Sequence, residues 1–345
     1  MKIIENYNLK NHNTFGFDIA AKKFAEYETE AELIDFLREN LPVLKAGWLH
    51  IGSGSNLLFL NNFNGIILHS AIKFIEISPH FDRFEELKDT VLVRVGAGVL
   101  WDDFVAEMVK NGLCGAENLS LIPGEVGAAA VQNIGAYGVE IQDITAKVEA
   151  IEVATLQKRI FDVSECNYGY RESIFKSDLK GKFIVTAVVF RLSKTPKFKL
   201  DYGALKEYLK DIQNIDIQTI RDVIIKIRQS KLPDTKVFGN AGSFFKNPYC
   251  SKENFEYLQK KYPDIPYYSA NDASNSVKLS AAWLIERCGF KGKTLGGAAV
   301  YHLQPLVLVN QGDATPQDVA DLAYEIQKSV KEKFCLQLET EVNFV

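Results

Sequence analysis

The sequence PGEVGAAAVQNIGAYG, residues 123–138, decides how the fold is interpreted. It combines Gly124, Gly127, Gly135 and Gly138 with three consecutive alanines. Small side chains let a backbone approach a flat or charged ligand closely. A close-packed loop between strands, or a helix of small residues, would have the same composition, so both alternatives to ligand binding stay open.

A second glycine loop, GSGSNL, occupies residues 52–57. The full Gly-x-Gly-x-x-Gly pattern fails because position 57 is leucine, and the residues that follow are typical of a strand rather than a helix. This disfavours a Rossmann fold. Consecutive glycines and serines can still direct backbone N–H groups at an anion, although a tight β-turn would explain them equally well. Together, the two loops indicate segments that enclose the pyrophosphate of one dinucleotide.

The flanking segments alternate between strand and helix patterns, which predicts an α+β fold. The predicted strands are GWLHI, NGIILHS, TVLVRVG, AKVEAIEVAT, FIVTAVVFRL and LQLETEVNF. One predicted helix begins at a capping box formed by Thr29 and Glu32, and another ends before Gly112. A third runs from Thr219 towards Pro233, and a fourth follows an N-cap at Thr315. We expect the main domain boundary near residue 215 and another near residue 72.

The composition is that of a packed globular protein. The chain has 345 residues, of which 47% are hydrophobic, and a formal net charge of −4. Nucleic-acid binding usually needs a basic face, which this balance does not favour. No run approaches the roughly 18 apolar residues of a membrane span, and the N-terminus lacks the apolar core of a signal peptide. Five widely spaced cysteines favour free thiols over disulfides or a zinc site.

Three segments carry polar candidates for chemistry. Ser243 stands between Gly242 and two phenylalanines in NAGSFFKNP, where it could be a turn residue, a buried polar residue or a proton donor. Arg171, in GYRESIFK, could bind a carboxylate or form an ion pair with Glu165 or Glu172. In LETEV, Glu339 and Glu341 would share one face of a strand, which is more often simply exposed.

Eight stretches carry a family resemblance across nearly the whole chain. In order, they are NTFGF, GSGSNLLFL, ENLSLIPGEVGAAAVQNIGAYGVE, GYRESIFK, KLP, GNAGSFFKNP, KGKTLGGAAV and LETEV. Together they closely resemble the UDP-N-acetylenolpyruvoylglucosamine reductases, flavoenzymes that complete UDP-N-acetylmuramic acid for bacterial peptidoglycan. The resemblance implies a vanillyl-alcohol-oxidase-type FAD-binding module of two subdomains, residues 1–72 and 73–215. A smaller α+β substrate-binding domain, residues 216–345, would follow.

The resemblance also implies functional residues. The catalytic positions are Arg171, Ser243 and Glu341. The cofactor-binding positions are Gly52, Ser53, Gly54, Ser55, Asn56, Leu57, Ile122, Pro123, Gly124, Gly127, Ala128, Gln132, Asn133, Gly135, Ala136, Tyr137 and Gly138. The substrate-binding positions are Tyr202, Lys231, Asn247, Tyr268 and Gln304, and no metal site is implied. Thr340 stands where many members have proline, so Glu339 remains an alternative to Glu341.

The implied reaction uses non-covalently bound FAD and NADPH as the hydride donor. FAD would pass the hydride to an enolpyruvyl group, and negative charge would build beside the substrate carboxylate. Preorganised positive groups in a site shielded from water stabilise such charge, and the guanidinium of Arg171 suits this role. Glu341 would help only if it is protonated or if it orients a donor.

Proton delivery to the carbanion would fall to Ser243. A fixed hydroxyl protonates one face, whereas free water would not discriminate between the two faces. Lys246 or Lys231 would stabilise the alkoxide, and the adjacent phenylalanines would exclude water. Lys231 would also bind the substrate diphosphate, and Tyr202 would close over it. KFKLDYGALKEY, which contains Tyr202, is similar to the inserted loop of the family's longer subtype.

Two other functions remain open from the sequence alone. An FAD-dependent alcohol oxidase could use the same flavin fold, although residues 52–57 hold no histidine for the covalent flavin attachment common in such oxidases. A nucleotide-sugar-binding sensor without chemistry is the other, disfavoured by the three catalytic positions. We expect a cytoplasmic monomer that binds a nucleotide sugar, with no nucleic-acid partner and no membrane insertion.

Overall fold

The computed structural model describes residues 1–44, 47–78, 89–269 and 275–345. The chain forms two compact units, each built from separate stretches of sequence. The first comprises Met1–Asn8, Ala20–Ser53 and Phe63–Ser230, and the second comprises Leu9–Ile19, Gly54–Asn62 and Lys231–Val345. The domain boundaries expected at residues 72 and 215 stay predictions.

Strands and helices are interspersed along the whole chain. The strands are β1 Lys2–Asn8, β2 Ala20–Tyr27, β3 Trp48–Ile51, β4 Leu57–Leu58, β5 Phe63–Ser70, β6 Ile75–Ser78, β7 Thr90–Gly96, β8 Gly135–Ala136, β9 Val139–Glu140, β10 Thr145–Glu152, β11 Lys158–Asp162, β12 Phe183–Ser193, β13 Gly239–Ser243, β14 Tyr249–Ser251, β15 Tyr267–Ser269, β16 Ser276–Leu279, β17 Thr294–Leu295, β18 Ala298–Val300, β19 Val307–Asn310 and β20 Asn343–Phe344. The α-helices are α1 Glu30–Leu44, α2 Trp101–Lys110, α3 Val126–Gln132, α4 Ile141–Ile144, α5 Gly203–Leu209, α6 Ile217–Lys231, α7 Lys252–Lys261, α8 Ala281–Arg287 and α9 Pro316–Phe334. Short 3-10 helices cover Lys10–His12, Glu117–Leu119 and Val163–Cys166.

The first unit contains two main sheets. One has the strand order β1-β2-β5-β3, in which β1 is antiparallel to β2 and the other neighbours are parallel. The other has the order β11-β10-β12-β7-β6, with antiparallel neighbours throughout. Trp101, Phe104 and Phe190 pack in its core, and the Trp101 indole donates to the Leu119 carbonyl at 2.8 Å. That bond satisfies the buried indole N–H, as burial requires.

The second unit is built on smaller sheets. One has the order β13-β19-β18-β17 and another the order β14-β16-β15. β20 pairs with β4 in parallel, which brings the C-terminus beside the end of the first glycine loop. Helix α9 buries the stripe predicted from its 3.6-residue period, which consists of Val319, Leu322, Ala323, Ile326 and Val330.

Most of the predicted elements are confirmed. Five of the six predicted strands form, and α2 ends at Lys110 with Gly112 at a φ of 68°. Thr315 caps α9, and Thr29 accepts the Glu32 N–H at 3.2 Å at the start of α1. The reciprocal bond of that predicted box differs, because the Glu32 carboxylate accepts from the Glu28 N–H.

Two predicted elements are wrong in part. Helix α6 begins at Ile217 rather than Thr219, because the Asp216 carboxylate accepts the Thr219 N–H at 2.7 Å and so caps the helix earlier. The final strand is not continuous. It is reduced to β20 and an isolated bridge between Thr340 and Phe245, so the shared-face argument for its two glutamates does not hold.

Three further findings concern membranes, metals and thiols. In the described ranges, no helix has the length and apolar character needed to cross a membrane. The same part of the chain contains no group of three or more histidine, cysteine, aspartate or glutamate side chains able to hold a metal ion. The five cysteines are free, and Cys114, Cys166 and Cys250 are buried.

Candidate active site

Ser243 lies directly after a bulge in β13. The register with β19 shifts between Asn240 and Ser243, and Gly242 adopts a φ of 70° at the shift. The Asn240 side chain fixes the bulge, because its carbonyl oxygen accepts the Gly242 N–H at 3.0 Å. Bulges re-aim the side chains that follow them. Ser243 is half-buried, and the next residue, Phe244, is completely buried.

Glu341 is joined to this strand by backbone bonds. Its N–H donates to the Phe244 carbonyl at 2.8 Å, and its own carbonyl accepts from the Asn56 side chain at 3.0 Å. Within the second unit, Glu341 is therefore bonded both to Asn56 and to the residue after Ser243, and all three positions were predicted as site residues. Glu341 is half-buried, whereas the alternative, Glu339, has a side chain 71% exposed that pairs with Lys246 at 3.4 Å.

The predicted substrate-binding residues of the second unit have different surroundings. The Leu306 N–H lies 3.5 Å from the Gln304 side-chain oxygen, and the Leu306 carbonyl accepts the Phe244 N–H, which places Gln304 near Ser243. Asn247 uses its side-chain oxygen to accept the Ala281 N–H at the start of α8. The half-exposed Tyr268 ring lies 5.7 Å from the Lys278 ammonium. Lys231 is exposed at the end of α6.

The first glycine loop is a tight turn between β3 and β4, as its alternative interpretation held. Gly54 has a φ of 69°, and a Cβ there would lie 1.8 Å from the His12 carbonyl oxygen. The Gly54 carbonyl also accepts the Thr14 N–H at 3.3 Å. Gly54 is therefore required by packing inside the second unit, whatever ligand the loop binds. β4 follows the loop instead of a helix, which confirms that no Rossmann motif is present in this described segment.

The second glycine loop contains the small-residue helix that was held open, α3. Gly127 packs against Ala97, since a Cβ at position 127 would lie 2.8 Å from the Ala97 Cβ. The start of the first loop lies alongside this helix: a Cβ on Gly52 would lie 3.4 Å from the Ala128 Cβ. The start of the first loop and the second loop therefore approach each other within the first unit, where Gly52 and Gly124 are half-buried. This arrangement fits the pyrophosphate of a dinucleotide.

Arg171 occupies a tight turn beside the second loop. Gly169 and Glu172 exchange both backbone hydrogen bonds at 3.0 Å, and Arg171 between them adopts a φ of 58°. Its guanidinium donates to the Gly135 carbonyl at 2.8 Å. The buried Asn133 donates to the Gly169 carbonyl at 2.7 Å and so ties the turn to the loop. Glu165, one suggested ion-pair partner, pairs with Arg159 at 3.1 Å.

Tyr202 lies against the end of the same loop. Its ring meets the Tyr137 ring edge-on at 5.9 Å, and it is 44% exposed. The Asn118 side chain donates to the carbonyls of Tyr137 and Lys199, both at 2.9 Å. Burial raises the pKa of Tyr137, and the charge and hydrogen bond of Arg228 lower it in part.

Several residues of these surroundings were missed at the sequence level. They are His69, Glu125, Asn118 and Arg228. Glu125 lies inside the quoted motif, and an acid flanked by glycines in an anion-binding loop was a signal that could have been used. Asn118 lies inside the quoted stretch of residues 117–140 but gave no signal of its own, and His69 and Arg228 come from distant segments without a recognisable spacing.

Comparison with known proteins decides the family. An FAD binding domain profile matches residues 21–164, and a profile of the UDP-N-acetylenolpyruvoylglucosamine reductase C-terminal domain matches residues 233–345. The chain is 47% identical to the UDP-N-acetylenolpyruvoylglucosamine reductase of Bacteroides fragilis over 341 residues, 99% of each chain. It belongs to the UDP-N-acetylenolpyruvoylglucosamine reductase family.

Other members of this reductase family match over similar lengths. The reductase of Porphyromonas gingivalis is 46% identical over 346 residues and all of both chains. That of Salmonella typhimurium is 42% identical over 98% of this chain and 96% of its own. The crystal structure of the Thermus caldophilus reductase superposes with a TM-score of 0.65 at 25% identity, covering 99% of this chain and 98% of that one.

Family membership confirms the resemblance stated from the sequence, the α+β fold with an FAD-binding module, and FAD as the cofactor. The chain is therefore a flavoprotein oxidoreductase. The alcohol-oxidase alternative is not favoured. The roles of individual site residues stay predictions.

Proposed function

We propose that this flavoprotein uses NADPH to reduce the enolpyruvyl group of UDP-N-acetylglucosamine-enolpyruvate, giving UDP-N-acetylmuramate for peptidoglycan synthesis. The observation that carries the proposal is the network in the second unit in which the residue after Ser243 bonds the Glu341 amide. Family relatives named for this reductase match the whole chain and support the substrate.

The bound cofactor supplies transfer of two electrons from NADPH to the substrate double bond. Residues of the two glycine loops would hold it, among them the half-buried Gly52, Gly124, Gly135 and Tyr137. Burial of the phosphates against backbone N–H groups stabilises their charge.

Arg171 acts on the substrate carboxylate. Its guanidinium is fixed by the Gly135 carbonyl and by a turn that Asn133 anchors, so little rotamer entropy remains to be lost when it binds an anion. A preorganised cation stabilises the charge that builds beside the carboxylate during reduction.

Ser243 donates the proton that completes the product. The bulge at Gly242 fixes the backbone that carries the hydroxyl, and the next two residues, Phe244 and Phe245, are buried. Lys246 lies three residues further on with a side chain that is 16% exposed, and it would stabilise the alkoxide left after proton transfer. Glu341 orients a donor in this step.

The test separates the two halves of the reaction with Ser243→Ala. Under anaerobic conditions, NADPH should bleach the flavin absorbance of the variant at the wild-type rate. Recovery of the absorbance on adding the enolpyruvyl substrate should slow about 10²–10⁴-fold, the usual contribution of a general acid. Ser243→Cys, which keeps a proton donor, should recover part of this loss.

Ser251→Ala is the matched control, because Ser251 caps α7 in the same unit and has no proposed role in chemistry. It should behave like wild type in both half-reactions. A Ser243→Ala variant that reoxidises at the wild-type rate would show that Ser243 only shapes the loop. A wild-type protein that takes up FAD and binds the nucleotide sugar without reducing it would favour the sensor alternative.

We also propose that the enzyme works in the cytoplasm as a monomer. NADPH and nucleotide-sugar precursors are supplied there, which supports the location. Tyr202 would close over the substrate diphosphate, and Lys231 would contribute a point charge to it. Exposure of both side chains leaves them able to meet a ligand.

A further inference from the structure

A buried histidine at the end of β5 lies between two carboxylates. The His69 Nδ1 atom is 2.9 Å from a Glu26 oxygen, and its Nε2 atom is 3.0 Å from a Glu125 oxygen. His69 is 8% exposed and Glu125 6%. An ionised carboxylate can only accept hydrogen bonds, so both ring nitrogens must carry protons to satisfy both partners. The geometry thus suits an imidazolium, which donates from both nitrogens.

Glu125 joins this pair to both glycine loops. It follows Gly124 in the second loop, and the same oxygen that meets His69 accepts the Ser53 hydroxyl at 3.0 Å. Its other oxygen would lie 3.1 Å from a Cβ placed on Gly52. Glu125 thus cross-links the start of the first loop to the second loop inside the first unit.

The position of Glu125 raises an electrostatic problem. Gly52, Ser53 and Gly124 are proposed to hold the FAD pyrophosphate, and a bare carboxylate among them would repel it. Within a protein, such repulsion is much stronger than in water. A buried imidazolium hydrogen-bonded to that carboxylate cancels its charge while leaving the link to Ser53 intact.

We propose that His69, as an imidazolium, is a positioning residue for FAD: it neutralises Glu125 and thereby holds Gly52 and Ser53 in the cofactor-binding arrangement. The inference rests on the proposed assignment of the glycine loops as the FAD site. Neither His69 nor Glu125 is among the site residues predicted from the sequence, and neither takes part in the chemistry proposed above.

The charges around the ring agree with this role. Burial alone lowers the pKa of His69, but the hydrogen bonds and charges of Glu125 and Glu26 outweigh it, and the pKa lies above its ordinary value. Glu26 faces the ring from β2 and Glu125 from the loop before α3. From β3, His50 has its pKa lowered by burial and by the His69 charge, so it stays neutral.

The sign of the pH dependence follows from the raised pKa. A histidine of this kind contributes fully below its ordinary pKa, and its contribution is lost as pH rises through the raised value. FAD affinity should therefore weaken on the alkaline side in the wild-type protein. Variants without the Glu125 charge should lack this weakening.

The experiment measures the dissociation constant of FAD by flavin fluorescence on dilution and ultrafiltration of the purified holoenzyme, from pH 6 to pH 9, without NADPH or substrate. His69→Gln should weaken FAD binding about 10–100-fold at neutral pH, as loss of outer-shell partners does at metal sites. Adding Glu125→Gln to His69→Gln should restore most of the affinity, because the repelling charge is gone. His50→Gln is the matched control from the neighbouring strand and should change the constant less than about twofold.

Two results would overturn the inference. One is wild-type FAD affinity in His69→Gln, and the other is a loss that Glu125→Gln does not rescue. If His69→Gln fails to fold, Glu125→Gln alone decides: it should retain FAD and lose the alkaline weakening, and a wild-type pH profile would refute the role. Flavin bleaching by NADPH and recovery with substrate in the wild type test the proposed function separately, so either idea can fail without the other.

Discussion

Two hydrogen bonds of its backbone hold the main chain at Glu341. Its N–H is bonded to Phe244 and its carbonyl to Asn56. The main chain at position 341 is thus held by neighbours that a substitution of the side chain leaves in place. This makes the residue suited to a clean test of what the carboxylate itself does.

We expect Glu341→Gln to retain far more of the substrate-reduction rate than Glu341→Ala. A glutamine can still donate a hydrogen bond or orient a donor, whereas alanine leaves that partner unsupported. The alanine variant should lose about 10²-fold or more in the reoxidation half-reaction, in the range of general acid–base contributions. Stopped-flow absorbance of the flavin measures both rates.

The neighbouring glutamate supplies the control for that test. Glu339 is exposed and paired with Lys246, so Glu339→Gln should leave both half-reactions within about twofold of wild type, as surface ion pairs contribute little. Equal and severe losses in Glu341→Gln and Glu341→Ala would exclude the donor-orienting role. A large loss in Glu339→Gln would instead transfer the role to that residue.

At the level of elements, one amide holds the Tyr202 segment to the second glycine loop. Asn118, in a 3-10 helix and 1% exposed, donates to the Tyr137 and Lys199 carbonyls. The Lys199 ammonium also pairs with Asp143 at 3.0 Å and donates to the Gly138 carbonyl at 3.4 Å, so Lys199 adds further attachments before α5 begins at Gly203. The proposed closure of Tyr202 over the substrate requires that the base of its loop be anchored, and Asn118 anchors it.

Replacing Asn118 with leucine should free the segment before α5. The Tyr137 and Lys199 carbonyls would lose their donor, and each hydrogen bond of this kind contributes about 0.5–1.5 kcal/mol of stability. We expect faster amide hydrogen exchange over residues 195–202 and a several-fold higher KM for the nucleotide sugar, with flavin reduction by NADPH unchanged.

Asn111→Ala provides the comparison, because Asn111 bonds only Glu107 of its own helix among the side-chain bonds that the described part of the chain shows for it. It should leave exchange over residues 195–202 unaltered. Wild-type exchange in the Asn118 variant would mean that other bonds, such as that of Lys199, are sufficient to hold the segment.

Patterns of period two and period 3.6 predicted the strands and helices well because those elements bury one face. They failed at the C-terminus, where the segment around Thr340 is held by two single backbone bonds on either side of one bridge rather than by a ladder. Glycine in the motif of residues 123–138 was also ambiguous. Gly127 packs on Ala97, whereas Gly135 makes room for Arg171, and the sequence cannot separate these uses.

At the scale of the whole molecule, carboxylates paired with arginine or lysine set the response to acid. The Asp102 carboxylate accepts hydrogen bonds from two guanidinium nitrogens of Arg221, at 2.7 and 2.9 Å. It also accepts one from the Leu121 N–H at 2.5 Å. Burial alone would raise the pKa of Asp102, but these bonds hold it below its usual value. Glu149 behaves alike, since Arg94 and Lys158 lower its pKa against the effect of burial.

The stability from such groups is present above the unfolded carboxyl pKa, near 4, and is lost as pH falls through the lowered folded value. We expect the thermal midpoint of the wild-type protein to fall steeply below about pH 4. Asp102→Asn should cost about 2 kcal/mol at pH 7, less than the roughly 3–5 kcal/mol of fully buried pairs. The difference from wild type should shrink as the pH approaches 3.

Asp103→Asn tests whether the effect belongs to the pair or to the helix. Asp103 is the exposed acid beside Asp102 in the first turn of α2, so both face the same helix dipole. Its melting curves should follow the wild-type profile. If the thermal midpoint of Asp102→Asn lay below that of wild type by the same amount at every pH, the Asp102 charge would not be the source of the acid sensitivity.

The catalytic positions could be proposed from sequence because they lie in compact motifs. His69 and Asn118 could not be proposed in this way. Each forms a hydrogen bond with a residue at least 19 positions away, and no sequence spacing indicates which residues pair. The segments that complete the second unit were equally hidden. Residues 9–19 and 54–62 carry no local pattern that assigns them to the same unit as Lys231–Val345, which begins more than 160 residues later in the chain.

Those two short segments supply structural bonds to the C-terminal part of the chain. Thr14 accepts the Asn240 N–H at 2.9 Å, Phe15 accepts from the Asn310 side chain at 3.1 Å, and Leu60 donates to the Val345 carbonyl at 2.9 Å. The C-terminal third therefore cannot be exchanged between proteins as a self-contained cassette. Any gene fusion or recombination that transplants it must carry both N-terminal pieces along, or leave its strands short of partners.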